Sequence, residues 1–272
     1  MKTFVALTLL VTFGLMAEAR FYSRLLKKTK PQPVGKVHIR DSGSRITNGQ
    51  TAVRGQFPWQ AAILVDSGWV CGGSLISVEW VLTAGHCMST SYIVTLGAVN
   101  YYEPEEGSAI VSSATSIKHE DYGNGNDIGL VKISVNYNNY ISPIRLPSRA
   151  DQFNTFAGES ARISGWGKTS DDEEYISPTL QYVDLTVITN EECNAIYGTI
   201  TSGELCASTT GGKGTCNGDN GGALVYAEFG YIQIGVATFT AGAGCEAGYP
   251  AGFTRVTSYL DWIQSHTGII IN

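Results

Sequence analysis

Six cysteines follow a short apolar leader, and this combination constrains the fold more than any other feature of the chain. Lys2, the mostly apolar run 4–16 and Ala17-Glu18-Ala19 make the charged start, short core and small-x-small end of a secretory signal. The core is too short for a membrane anchor, and no other apolar run reaches spanning length, so no membrane partner is expected. In an exported chain an even number of cysteines implies disulfides. Cys71, Cys87, Cys193, Cys206, Cys216 and Cys245 allow fifteen pairings in principle, and their number alone does not choose among them. Zinc is the competing use of these thiols. No Cys-x-x-Cys pair exists and the histidines are scattered, so no metal and no other cofactor is expected.

The region after the leader differs from the rest. Residues 20–45 hold eight Lys or Arg against the single acid Asp41, carry Pro31, Pro33 and Gly35, and lack cysteine. This composition predicts an exposed, weakly structured basic segment. Residues 46–272 hold nine basic against 22 acidic residues, a net charge of −13. An acidic body of this kind speaks against nucleic acid as a partner. The expected organisation is a leader over 1–19, a basic segment over 20–45 and one folded domain over 46–272.

Within that domain, Ala61–Val65, Trp80–Thr83, Tyr92–Leu96 and Ala223–Tyr226 are short strand-like runs separated by Gly, Asn, Ser and Pro. Many short strands and 32 glycines predict an all-β barrel or sandwich. Val256, Tyr259, Leu260 and Ile263 follow helical spacing, so a helix is expected at the C-terminus, capped by Thr257 or Ser258. His119 and His266 read as surface residues. The acidic run 102–107 reads as a solvated loop.

Several motifs point one way. Thr83-Ala84-Gly85-His86-Cys87 follows Cys71-Gly72-Gly73-Ser74-Leu75. Asn126-Asp127-Ile128-Gly129-Leu130, Ser164-Gly165-Trp166-Gly167-Lys168-Thr169 and Cys216-Asn217-Gly218-Asp219-Asn220-Gly221-Gly222 come later. Arg45-Ile46-Thr47-Asn48-Gly49 opens the domain, and Gly252-Phe253-Thr254-Arg255-Val256 leads into the terminal helix. From residue 46 to about 268 the chain resembles the chymotrypsin-like serine proteases, near arthropod chymotrypsins and brachyurins. The resemblance implies two six-stranded antiparallel β-barrels with the site between them, and the pairs Cys71–Cys87, Cys193–Cys206 and Cys216–Cys245.

The resemblance also implies roles. His86 would be the general base and Asp127 the carboxylate that orients it. Asn220 stands where relatives carry the attacking serine. A carboxamide has no hydroxyl for the imidazole to deprotonate, and its nitrogen lone pair is delocalised. The oxyanion donors would be the N–H groups of Gly218 and Asn220, which do not depend on the side chain. Cleavage after Arg45 by a trypsin-like enzyme would free the Ile46 ammonium to pair with Asp219, a switch that sets the oxyanion loop. The specificity pocket would have Gly214 at its floor and Thr238, Phe239, Thr240 and Ala251 in its walls. With no acid at the floor it suits small or medium neutral side chains, and Thr240, in place of the usual glycine, narrows its mouth.

The expected function is that of a secreted, monomeric, zymogen-like protease homologue without proteolytic activity, whose cleft binds a peptide or protein, protease inhibitors included. Two alternatives stay open. One is a working endopeptidase in which Asn220 is an allele, an error or an engineered change. The other is an interaction or immune-cofactor module acting through another surface.

Overall fold

The computed structural model of the chain describes residues 46–103, 105–227 and 230–272. The expected leader, the basic segment and Arg45 lie outside the described residues. In chain order the strands are β1 (Gln50–Thr51), β2 (Gln60–Val65), β3 (Trp69–Ser77), β4 (Trp80–Thr83), β5 (Tyr92–Leu96), β6 (Ala109–Ser113), β7 (Ser116–Lys118) and β8 (Gly129–Lys132). Then come β9 (Ser160–Gly165), β10 (Gln181–Ile188), helix α1 (Asn190–Tyr197), β11 (Glu204–Ser208), β12 (Ala223–Tyr226), β13 (Ile232–Phe239), β14 (Ala251–Arg255) and helix α2 (Leu260–Thr267).

Side-chain alternation explains the strands. In β10, Gln181, Val183, Leu185 and Val187 are buried while Asp184 and Thr186 face outward, the period of two that one-sided burial requires. In β5, Tyr92, Val94 and Leu96 are buried in the same way. Each such apolar side chain contributes about 1.5–3 kcal/mol on leaving water.

The strands form two antiparallel sheets. One runs β6-β5-β2-β3-β4-β8-β7. The other runs β1-β10-β11-β14-β13-β12-β9, and β9 returns to pair with β10, closing a six-stranded barrel. The seventh strand, β1, pairs with β10 through Gln50 and Thr51 alone. The architecture is the all-β, two-barrel fold with a short C-terminal helix that the resemblance implies.

Two buried side-chain hydrogen bonds link the sheets. Ser74 Oγ of β3 donates to Gln233 Oε1 of β13 at 2.6 Å, and Ser164 Oγ of β9 donates to Gln60 Oε1 of β2 at 2.6 Å. Backbone packs on backbone beside them: a Cβ at Gly72 would lie 2.9 Å from Gly222 Cα. The six cysteines form Cys71–Cys87, Cys193–Cys206 and Cys216–Cys245.

Two helical details differ from expectation. Val256–Tyr259 is a 3₁₀ turn, and α2 begins after it with Tyr259 at the N-cap and no side-chain cap. Thr257 cannot cap because it is buried, its Oγ1 without a partner among the described residues. Helix α1 was not expected. Its signal is the capping box Thr189-Asn190-Glu191-Glu192, in which Thr189 Oγ1 accepts the Glu192 N–H.

Candidate functional site

The β4–β8 pairing sets Thr83 opposite Gly129. The chain leaves β4 into the 3₁₀ turn Gly85–Cys87 and enters β8 from Asp127, so two residues 41 apart in sequence meet. Asp127 Oδ1 accepts the His86 backbone N–H at 2.8 Å, and Oδ2 lies 2.7 Å from His86 Nδ1. Two bonds from one residue to one carboxylate fix the ring plane. A carboxylate only accepts, so Nδ1 donates, and in the neutral imidazole Nε2 carries the lone pair. That Nε2 is buried and has no hydrogen-bond partner among the described residues. Thr254 Oγ1 donates to the Asp127 carbonyl at 2.7 Å and fixes the loop from the second barrel.

The 216–222 loop stands opposite. Its bonds are made almost wholly by main-chain atoms. Gly72 N–H donates to the Asn220 carbonyl at 2.7 Å, Gly221 N–H to Ala237 O at 2.7 Å, and Gly222 N–H to Asp219 O at 2.9 Å. The Asn220 carbonyl also lies 3.8 Å from Cys87 Sγ, which brings the loop against the turn that carries His86. The N–H groups of Gly218 and Asn220 donate to no other described residue. Gly221 is forced: its φ is +87° and a Cβ would fall 2.1 Å from Thr83 Oγ1 and 2.3 Å from Gly72 O.

One side chain does hold the loop. Asp219 is fully buried, accepting the Gly167 N–H at 2.8 Å and the Cys216 N–H at 2.9 Å. A Cβ at Gly167 would come within 2.4 Å of the carboxylate, so glycine is required there. Burial pushes the Asp219 carboxyl up to about 6, while the Cys216 and Gly167 N–H groups pull the other way.

Ile46 is buried in the second barrel at φ +47°, an unusual conformation for a β-branched residue. The Ile46–Asp219 pair is not among the described contacts. The pair needs a free ammonium, and in the full chain Ile46 N is in the peptide bond to Arg45.

The remaining residues of interest gather at the β13–β14 ladder, which sets Phe239 opposite Gly252. Thr238 Oγ1 donates to Gly252 O at 3.1 Å, and the Phe239 ring packs edge-on against Tyr197 at 5.3 Å between centroids. Ala251 is buried beside them, and Thr240 is half-buried. Gly214 is buried, and its carbonyl accepts the Thr47 hydroxyl at 3.2 Å.

Gly85 has a local reason: a Cβ there would meet the Tyr122 ring at 2.9 Å and the Ile128 carbonyl at 3.0 Å. Cys71, His86 and Cys87 place their ligand atoms within 4.8 Å of one another. Both sulfurs belong to one disulfide, which leaves an imidazole alone and no thiolate for a metal. Glu105 of the acidic run turns inward to accept the Val99 and Asn100 N–H groups. His119 and His266 are half-buried: both pack on Trp262, and His266 Nε2 lies 3.1 Å from Glu120 Oε1. Sequence reasoning missed Thr254, whose hydroxyl has no signature in the linear chain.

Comparison with known proteins agrees with this geometry. The family profile described as Trypsin matches residues 46–263. The chain is 44% identical over 231 residues to brachyurin of Leptuca pugilator, covering 82% of this chain and 99% of that protein. It is 44% identical over 238 residues to collagenase of Hypoderma lineatum, covering 83% and 88%, and 34% identical over 276 residues to chymotrypsin of Phaedon cochleariae, covering 97% and 98%. Among solved structures, HL collagenase matches with a TM-score of 0.76 and 41% identity, covering 83% of this chain and all of that one.

Proposed function

Because the chain belongs to the trypsin-like serine protease family, we propose that it is a secreted member which binds peptide in the family's cleft and releases it uncut. The observation that carries this reading is the buried Nε2 of His86, held by Asp127 and without a partner, beside a loop whose residue 220 is asparagine. In a serine protease that nitrogen takes the proton of the attacking hydroxyl. Asn220 offers no hydroxyl, so no acyl-enzyme forms. Loss of a triad serine lowers turnover roughly 10⁶-fold, with roughly 10³ to 10⁴ over water left from the oxyanion hole and binding.

The rest of the machinery supports binding. The N–H groups of Gly218 and Asn220 have no other described partner, so they are free for a peptide carbonyl. None of Gly214, Thr238, Phe239, Thr240 and Ala251 carries an ionisable side chain, which suits a small or medium neutral residue. The leader over 1–19 directs export. A trypsin-like protease cuts after Arg45, and the new Ile46 ammonium then neutralises Asp219. The ligands are peptides or proteins, protease inhibitors among them, and the chain acts as a monomer.

The test is a fluorescently labelled peptide with a small neutral residue, added to the chain after cleavage at Arg45. Saturable anisotropy and a peptide of unchanged mass are expected. Steady release of fragments would instead mean a working endopeptidase, the reading favoured by the retained His86–Asp127 pair if considered without residue 220.

A further inference from the structure

Arg255 ends β14 and is 8% exposed. Its guanidinium makes three hydrogen bonds, all to neutral oxygens: Nε to Glu204 O at 3.2 Å, Nη1 to Thr155 O at 3.2 Å and Nη2 to Asn190 Oδ1 at 3.1 Å. A guanidinium has five N–H groups, so one on each terminal nitrogen remains. No carboxylate pairs with it among the described residues.

The carboxylates of Glu192 and Glu204 are engaged elsewhere. Glu192 Oε2 accepts the Thr189 N–H and hydroxyl, both at 2.8 Å. Glu204 Oε2 accepts the Thr201 N–H at 2.8 Å and its hydroxyl at 2.9 Å. Buried charges in proteins are ordinarily paired; this one is not, and desolvation pulls its pKa down.

The unpaired charge borders space. Arg255 lines a cavity of about 550 Å³ whose wall also includes Thr189, Ser202, Ser258 and Phe153. Phe153 is 89% exposed, an aromatic face left open to solvent at that wall. The serine hydroxyls of Ser202 and Ser258, an open ring and a cation with two spare N–H groups make a receptor for an oxyanion, since guanidinium binds carboxylate, sulfate and phosphate through paired N–H donors.

We propose that this cavity is a second binding site, separate from the peptide cleft, for a small ligand that presents a carboxylate, sulfate or phosphate to Arg255. The volume exceeds that of a single oxyanion, so there is room for a polar body that meets the hydroxyls and stacks on Phe153.

Equilibrium dialysis of the full chain against labelled sulfate, at fixed ionic strength, tests it. One saturable equivalent per chain is expected, with a dissociation constant of about 1 mM. Ser202→Glu sets a carboxylate in the cavity wall and should weaken binding at least about tenfold, the effect of one lost charge interaction of about 1.4 kcal/mol. Arg255→Met should abolish it, and if that variant fails to fold, Ser202→Glu decides. Sulfate held by the basic residues of 20–45 is common to all variants and cancels in the comparison. A second arm uses glucose 6-sulfate: equal affinity assigns the site to the free ion, tighter binding to an anion on a hydroxylated body. Absence of a saturable equivalent, or equal binding by wild type and Ser202→Glu, overturns the proposal.

Discussion

The two walls of the candidate site are built by different means. On the His86 side the geometry depends on side chains: Asp127 holds the ring, Thr254 holds Asp127, and Cys71–Cys87 ties the turn to β3. On the 216–222 side the shape comes from the backbone and one buried acid. Residue 220 contributes a carbonyl to Gly72 and a free N–H, which any residue but proline supplies. Asparagine at 220 therefore fits the loop, as the proposed function requires. The contrast teaches that the shape of the 216–222 wall does not depend on the side chain at 220, whereas the His86 wall depends on its side chains throughout.

If the second wall is backbone-built, a change in backbone space should damage it most. Gly221→Ala puts a Cβ into Thr83 and Gly72 at positive φ, and should cost more than about 3 kcal/mol in urea unfolding. A cost near zero would mean that the loop is slack. On the opposite wall, replacing Cys71 and Cys87 together by alanine should lower stability by about 3 kcal/mol in the chain-entropy view of a loop this size. It should also loosen the His86 turn before the second barrel, visible as faster hydrogen exchange at Gly85–Cys87.

Asp219 sharpens the contrast through pH. Its carboxyl titrates near 3.8 when unfolded and at about 6 in the uncut fold. Between those values the folded chain binds more protons, so stability falls as pH rises through the window, by about 3 kcal/mol in all. Asp219→Asn should remove that slope. Cleavage after Arg45 should flatten it too, by placing an ammonium beside the carboxylate. Urea midpoints from about pH 4 to about pH 7 check both. The smallest effect belongs to Gly85→Ala, which crowds Tyr122 and Ile128 and should cost about 1 kcal/mol, partly recovered in a Tyr122→Ala background.

Much of this was legible in the sequence. β4, β5 and β12 occupy the bounds that their apolar runs suggest, because short β-branched and aromatic segments between turn residues leave little choice. Helix α1 was not expected, although its capping box is a local signal that could have found it. The start of α2 was not legible: Val256 and Tyr259 keep helical spacing, but Thr257 is drawn into the core and the first turn tightens to 3₁₀. The reason for Gly85 depends on where Tyr122 comes to rest. The unpaired state of Arg255 depends on Glu192 and Glu204 folding back on their own turns. These are outcomes of tertiary packing with no local pattern behind them.

The most direct measurement is a paired assay of the chain as it stands and its Asn220→Ser variant, both cut after Arg45 and offered neutral-residue peptides. The account predicts hydrolysis by the serine form only, at least about 10³-fold above the asparagine form. Comparable hydrolysis by the asparagine form would contradict the loss of activity, and silence from both would contradict the retained cleft.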